Sequence, residues 1–174
     1  MGLNIEIKAR CTDHVAIEKV IQKMNIPFEG MQQQSDTFFN VPNGRLKLRE
    51  SDTKGNFLIP YLRPDVKKPR KSDYVLLDVN DVDQSLNILE KMFGVRGIVE
   101  KTRKVFHYDN IRIHLDQVDD LGNFIELEGV IKNKKQKEET LQKIDLLMEI
   151  FEIKDEDIVI NAYIDMLEKK GTSK

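Results

Sequence analysis

The sequence predicts an α+β chain, mainly antiparallel β, in which eight strands close into a barrel and helices pack on its outside. Three features predict it. Eight segments read as strands, and most alternate apolar and charged residues, so that successive side chains point to opposite faces. Between and after them lie stretches with apolar residues at helical spacing, which need an apolar surface to dock on. The charged strand faces carry Glu6, Lys8, Arg45, Lys47, Arg49, Arg63, Lys101, Arg103, Arg112, Asp116, Glu126 and Glu128 rather than a scatter of lysine and threonine. A sandwich with wet outer faces would suit ordinary alternation. Docking the helices on the apolar strand faces instead turns these charges inward, toward a barrel lumen.

Residues 4–10 open the chain as a strand, with Ile5 and Ile7 on one face and Glu6 and Lys8 on the other. Thr12 or Asp13 caps a helix to about Met24, with Ile17, Val20, Ile21 and Met24 as its stripe, and Ile26-Pro27 stops it. A strand over 34–39 turns at Pro42, Asn43 and Gly44 into one over 45–50, where Arg45, Lys47 and Arg49 oppose Leu46 and Leu48. Lys54-Gly55 marks the next turn. The strand over 57–63 contains Pro60, which cannot donate to a ladder, so it is bulged or locally unpaired there. The basic run around Lys67, Lys68, Arg70 and Lys71 reads by composition as a solvated loop.

A strand over 73–79 precedes a helix capped by Asp81 or Asp83, carrying Leu86, Ile88, Leu89 and Met92 and stopped by Gly94. Strands over 98–108, 111–118 and 123–131 follow. Lys101 and Arg103 share one face of the first. Arg112, His114 and Asp116 share a face of the second, as do Glu126 and Glu128 of the third. A lysine-rich break at 132–137 leads to a helix over 138–151, and a last helix from about 161 carries Ala162, Ile164 and Leu167. Residues 1–170 read as one domain, and the tail 171–174 as disordered.

At 174 residues with 40% apolar content, the chain can bury one sizeable core. A net charge of −2 gives no global pull toward nucleic acid or anionic membrane, but a charged fraction of 33% makes the facing of those charges decisive. The basic residues alternate into an interior, and no aromatic stacking platform accompanies them, which argues against nucleic-acid binding. The one cysteine, Cys11, excludes an internal disulfide and a multi-thiolate zinc site, and together with His14 it offers only two ligands. No apolar run is long enough to span a bilayer, so a soluble, cytoplasmic protein without membrane association is expected.

A charged lumen needs an occupant, because unpaired buried charge is costly. Basic residues outnumber acidic ones on these faces, so the occupant should be a dense anion, a polyphosphate held by charge-assisted contacts. The carboxylates repel phosphate when bare and make sense as ligands for Mg²⁺ or Mn²⁺, which bridge carboxylate and phosphate oxygens.

At these residues the chain resembles the CYTH, or triphosphate tunnel metalloenzyme, family, which includes class IV adenylyl cyclases, thiamine triphosphatases and inorganic tripolyphosphatases. The resemblance runs from Asn4 to about Val130, with a weaker echo near Asn161. It rests on the opening Asn4-Ile5-Glu6-Ile7-Lys8, against a family signature Glu-x-Glu-x-Lys, and on the stretches 35–39, 44–50, 61–65, 69–72, 99–103, 112–116 and 121–128, in order and at the family's spacing. It implies that Lys8, Arg45, Lys47, Arg49, Arg63, Lys101 and Arg103 hold phosphate oxygens, with Arg112 and Arg70 either doing so or pairing with wall carboxylates. Glu6, Glu126 and Glu128 would carry the divalent metals. Asp116 would assist them or position water, with Lys8, Arg63 and Asp116 as the catalytic set. His114 would support the wall. Asn4 departs from the signature: an amide oxygen can bind a hard cation but brings no charge, so a metal there should bind more weakly.

The resemblance implies a metal-dependent hydrolase of a small-molecule triphosphate or polyphosphate. Two alternatives stand beside it: a class IV type adenylyl cyclase making cyclic AMP and pyrophosphate from ATP, and a non-catalytic polyphosphate or nucleotide sensor weakened at Asn4. A homodimer is compatible with all three.

Overall fold

The computed structural model describes residues 2–131 and 134–171. In chain order the elements are β1 (Gly2–Arg10), α1 (His14–Lys23), β2 (Phe28–Phe39), β3 (Arg45–Ser51), β4 (Phe57–Leu62), β5 (Arg70–Tyr74), β6 (Leu77–Asp78), α2 (Val82–Phe93), β7 (Val95–Tyr108), β8 (Ile111–Val118), β9 (Gly122–Val130), α3 (Lys134–Ile150) and α4 (Tyr163–Lys170). The strands run antiparallel in the order β3-β2-β7-β8-β9-β1-β5-β4, and β3 pairs with β4 to close an eight-stranded barrel. The short β6 pairs with the start of β4, continuing the line that β5 leaves.

Alternation sorts the side chains as the sequence predicts. The apolar residues of β1, β8 and β9, among them Ile5, Ile7, Ile113, Leu115, Ile125 and Leu127, face outward and are buried under α1 and α3 by Ile17, Ile21, Ile144 and Leu147. A second cluster joins Phe38, Val99, Val118 and Phe124 to Tyr163, Ile164 and Leu167 of α4. Each fully buried branched or aromatic side chain contributes about 1.5–3 kcal/mol, and this burial is what leaves the charged faces no direction but inward. Asp13 caps α1 by accepting from Ala16 N, and Asp81 caps α2 by accepting from Gln84 N. Gly94 ends α2 at φ 71, a conformation that favours glycine. The outward face of α2 is less well covered: Ile88 and Met92 are mostly exposed.

Several boundaries move. β2 begins at Phe28 rather than 34, and β7 at Val95 rather than 98. Residues 134–137, read as part of a break, are the first turn of α3. The remainder of that break, 132–133, and tail residues 172–174 lie outside the described residues. The expected strand over 73–79 is displaced toward the N-terminus, and Arg70 and Lys71, read as loop, begin β5. The cause is pairing with β1, which sets Glu6 opposite Arg70 and Asn4 opposite Ser72. Pro60 pairs in register with Leu46 of β3 but leaves a gap on its other side, where the line breaks between β5 and β6 and Val75 N donates to Pro60 O at 3.2 Å.

Candidate functional site

The inward faces enclose a cavity of about 400 Å³, lined by eight lysine and arginine side chains and five carboxylates, an excess of positive charge. One end is closed by Ala162 and Tyr163 at the N-terminus of α4, both buried. Toward the other end burial relaxes: the Arg112 side chain is a third exposed, and Lys54 and Glu29 pair at the rim, where His107 also meets Glu29.

Asp36 of β2, 2% exposed, is the centre of the deep basic cluster. Register places it opposite Arg49 of β3, which donates to both its oxygens at 2.6 and 2.8 Å. Lys47 and Lys101 reach the same carboxylate at 2.8 and 2.7 Å. Burial acts to raise the Asp36 carboxyl, but Arg49, Lys101 and Lys47 outweigh it and hold it well below the usual carboxylate range. Burial also lowers Lys101 to about 8 and Lys47 well below an ordinary lysine, against the attraction of Asp36.

At the closed end, Arg103 of β7 forks onto Asp116 of β8 with two bonds of 2.6 Å, and Tyr163 donates to Asp116 at 2.9 Å. Asp116 is fully buried with both oxygens engaged. It was expected to assist metals or position water; its geometry instead makes it the anchor of Arg103 and α4. Lys8 donates to Asn161 O at 3.1 Å and lies 3.9 Å over the Tyr163 ring. Burial, with Arg63 nearby, lowers Lys8 to about 7 despite Glu126 and Glu6. Arg63 donates to Glu6 at 2.7 Å.

The carboxylate side is β9. A His114 nitrogen and one oxygen each from Glu126 and Glu128 lie within 4.8 Å of one another. His114 Nδ1 is 3.1 Å from Glu126, and Arg112 is 2.9 Å from Glu128. Burial acts to raise Glu126, but Arg103 and His114 hold it well below its ordinary range, and so ionised. Asn4, 1% exposed, donates its amide to Glu128, while its own oxygen is buried without a hydrogen-bond partner. Two carboxylates, an orphaned amide oxygen and an imidazole fit a hard divalent cation such as Mg²⁺ or Mn²⁺. Glu6, expected in this set, is committed to Arg63 and lies 3.7 Å from Arg70.

The barrel thus brings Lys8, Lys47, Arg49, Arg63, Lys101, Arg103 and Arg112 onto one cavity with Glu6, Glu126 and Glu128. Arg45 is not among its lining; it bonds Asp65 at 2.9 Å and Asp165 of α4 at 2.8 Å. Arg70, 2% exposed, braces the wall by donating to Val66 O and Val159 O. His14 bonds Phe124 O at 3.0 Å and takes no part, nor does half-buried Cys11. Sequence reasoning did not single out Asp36, Gln32 or Gln34, although alternation from Phe38 backward through β2 puts all of them on the lumen face. It noted Tyr163 only as part of a weak motif.

A family model described as CYTH domain matches residues 2–163. A curated protein of Methanocaldococcus jannaschii named "Putative adenylate cyclase" is 24% identical, with 94% of this chain and 98% of that protein covered. Among solved structures, a Pyrococcus horikoshii protein superposes with a TM-score of 0.81 at 22% identity, covering 93% of this chain and 98% of that one. A Hippeastrum protein, described as a putative adenylyl cyclase with a dominant triphosphatase activity, superposes with a TM-score of 0.60 at 12% identity, covering 100% and 98%.

Proposed function

From the premise that this chain belongs to the CYTH domain family, we propose that it is a metal-dependent phosphohydrolase acting on a triphosphate held in the barrel lumen. The observation that carries this reading is the convergence of Lys47, Arg49 and Lys101 on the single carboxylate of Asp36. Three cations around one compact buried anion is the surrounding a phosphoryl group requires. Two buried guanidinium donors facing the same cavity, Arg63 Nε and Arg112 Nε, also lack hydrogen-bond acceptors, which phosphate oxygens would provide.

In this reading Arg49, Lys47 and Lys101 hold one end of the triphosphate, while Arg103, Arg63 and Lys8 hold the rest. Asp116 acts through Arg103 by fixing its fork, and Tyr163 fixes Asp116. Glu126 and Glu128, with His114 and the Asn4 oxygen, would hold Mg²⁺ or Mn²⁺, whose contribution when bound is to neutralise charge on the transferring phosphoryl group. A phosphate that draws Arg63 away frees the Glu6 carboxylate to join them.

The names of the Methanocaldococcus jannaschii and Hippeastrum proteins favour a second reading, cyclisation of ATP to cyclic AMP and pyrophosphate, in the same lumen. One assay separates the two. Tripolyphosphate, thiamine triphosphate and ATP are each incubated with Mg²⁺ or Mn²⁺, beside a Glu126→Gln control. Metal-dependent orthophosphate release, reduced at least a hundredfold in the control, is the expected result. Cyclic AMP with pyrophosphate would replace the hydrolase reading with the cyclase. No turnover, yet tripolyphosphate binding, would leave a sensor, and a gain of turnover in Asn4→Glu would explain why.

A further inference from the structure

The cavity that gathers the cations has a second, apolar side. Phe57, Ile59 and Tyr61 follow one another at strand period along the lumen face of β4, and Tyr74 and Leu76 lie on the adjoining β5–β6 line, with Tyr74 opposite Tyr61. All five line the same cavity as Arg49, Arg63 and Arg112. Leu76 is the informative one. It falls in the gap between β5 and β6 opened opposite Pro60, and it lines the cavity while 52% exposed. A leucine recruited for core packing would be covered; this one offers its apolar surface at the open end. Phe57, Tyr61 and Tyr74 are likewise only half-buried.

Inorganic tripolyphosphate has no apolar part and would leave this wall wet. A ligand with a polyphosphate tail and a flat apolar head would cover both sides at once, at a cavity size in the ordinary range for small-molecule sites. A polar contact to orient such a head is also present: Gln34, 4% exposed on this cavity, has a side-chain oxygen without a hydrogen-bond partner.

We propose that the wall of Phe57, Tyr61, Tyr74 and Leu76 is a subsite for the heteroaromatic head of an organic triphosphate, so that the substrate is a nucleoside or similar triphosphate rather than inorganic tripolyphosphate. This rests on the reading of the lumen as a triphosphate site. The rings provide stacking faces, which tolerate any flat heterocycle, and Leu76 closes the contact from the mouth.

The test is calorimetric binding of ATP, thiamine triphosphate and tripolyphosphate in EDTA, where no metal-dependent turnover confuses the reading, to the parent, Leu76→Ser and Phe57→Ala. Leu76 is exposed enough that its replacement leaves the thermal midpoint unchanged, which guards against a folding defect. The expected result is that at least one organic triphosphate binds about tenfold more weakly to each variant, the scale of losing one stacking contact, while tripolyphosphate binds within about twofold of the parent. If all three ligands lose affinity alike, or none does, while the parent still binds tripolyphosphate, this subsite is wrong and the triphosphate reading stands. If the parent binds none of them, both fall.

Discussion

Asp36 is a negative charge placed where the proposed substrate's charge must go. Its carboxylate holds Arg49, Lys47 and Lys101 within 2.8 Å, so the cations are ordered before any ligand arrives. Asp36→Asn keeps the shape and removes the charge, leaving three buried cations facing one another. Breaking a buried network from one side costs about 3–5 kcal/mol, which for a chain this size lowers the melting temperature by about 10 °C. Tripolyphosphate should raise the midpoint of the variant more than that of the parent, because in the variant it meets cations without a competing carboxylate. Scanning calorimetry with and without the ligand checks this, and an equal rise in both proteins would mean that Asp36 and phosphate do not share partners. The residue also shows where reading the sequence stops. Lys8, Glu126 and Arg103 announce themselves because they alternate with isoleucine, leucine or valine. Asp36 sits between Ser35 and Thr37 in a stretch mixing glutamines and aromatics, so nothing local marks it as buried; only pairing with β3 does.

Elements were legible wherever burial falls on one face. The barrel could be read from β1, β3, β8 and β9 because their apolar residues must find helices and their charges therefore turn inward. The β5–β6 line could not, since its placement depends on pairing with β1 and on the missing Pro60 N–H rather than on its own pattern. The docking of α3 has a similarly non-local cause. At Gly129 of β9 a Cβ would fall on Thr140 Cγ2, deep inside van der Waals contact, and 3.1 Å from Ile111 Cδ1. Thr140 cannot easily yield, being 1% exposed and bonded through its hydroxyl to Asn110 at 2.8 Å. Gly129→Ala should therefore lift α3 from the barrel and cost about 2 kcal/mol by overpacking. Adding Thr140→Ala removes the obstructing methyl, so the double variant should be more stable than the sum of the single effects predicts. Denaturant unfolding of the four proteins measures that coupling; strict additivity would show that the two residues do not meet.

Across the whole molecule, the lumen links protonation, stability and anion binding. Burial lowers Lys101 to about 8, against about 10.5 when unfolded. Between those values the unfolded chain holds a proton that the folded chain has released, so stability rises with pH over this window. Tyr61, pushed up to about 12 chiefly by burial, has a folded value above its unfolded one; its contribution is complete below pH 10 and does not oppose the trend there. Anion binding needs the charged lysine and should move the other way. Above pH 8 the free protein must take up a proton at Lys101 to bind tripolyphosphate, so the dissociation constant should rise toward about tenfold per pH unit for one linked proton. Measured in EDTA from pH 7 to 10, stability and affinity are expected to diverge, with the unfolding midpoint climbing as binding weakens. Lys101→Met should flatten the part of the binding curve centred near pH 8, because its side chain carries no proton to lose. Parallel decline of stability and affinity would instead mean that the barrel itself loosens at high pH, and that Lys101 is not the group governing the anion.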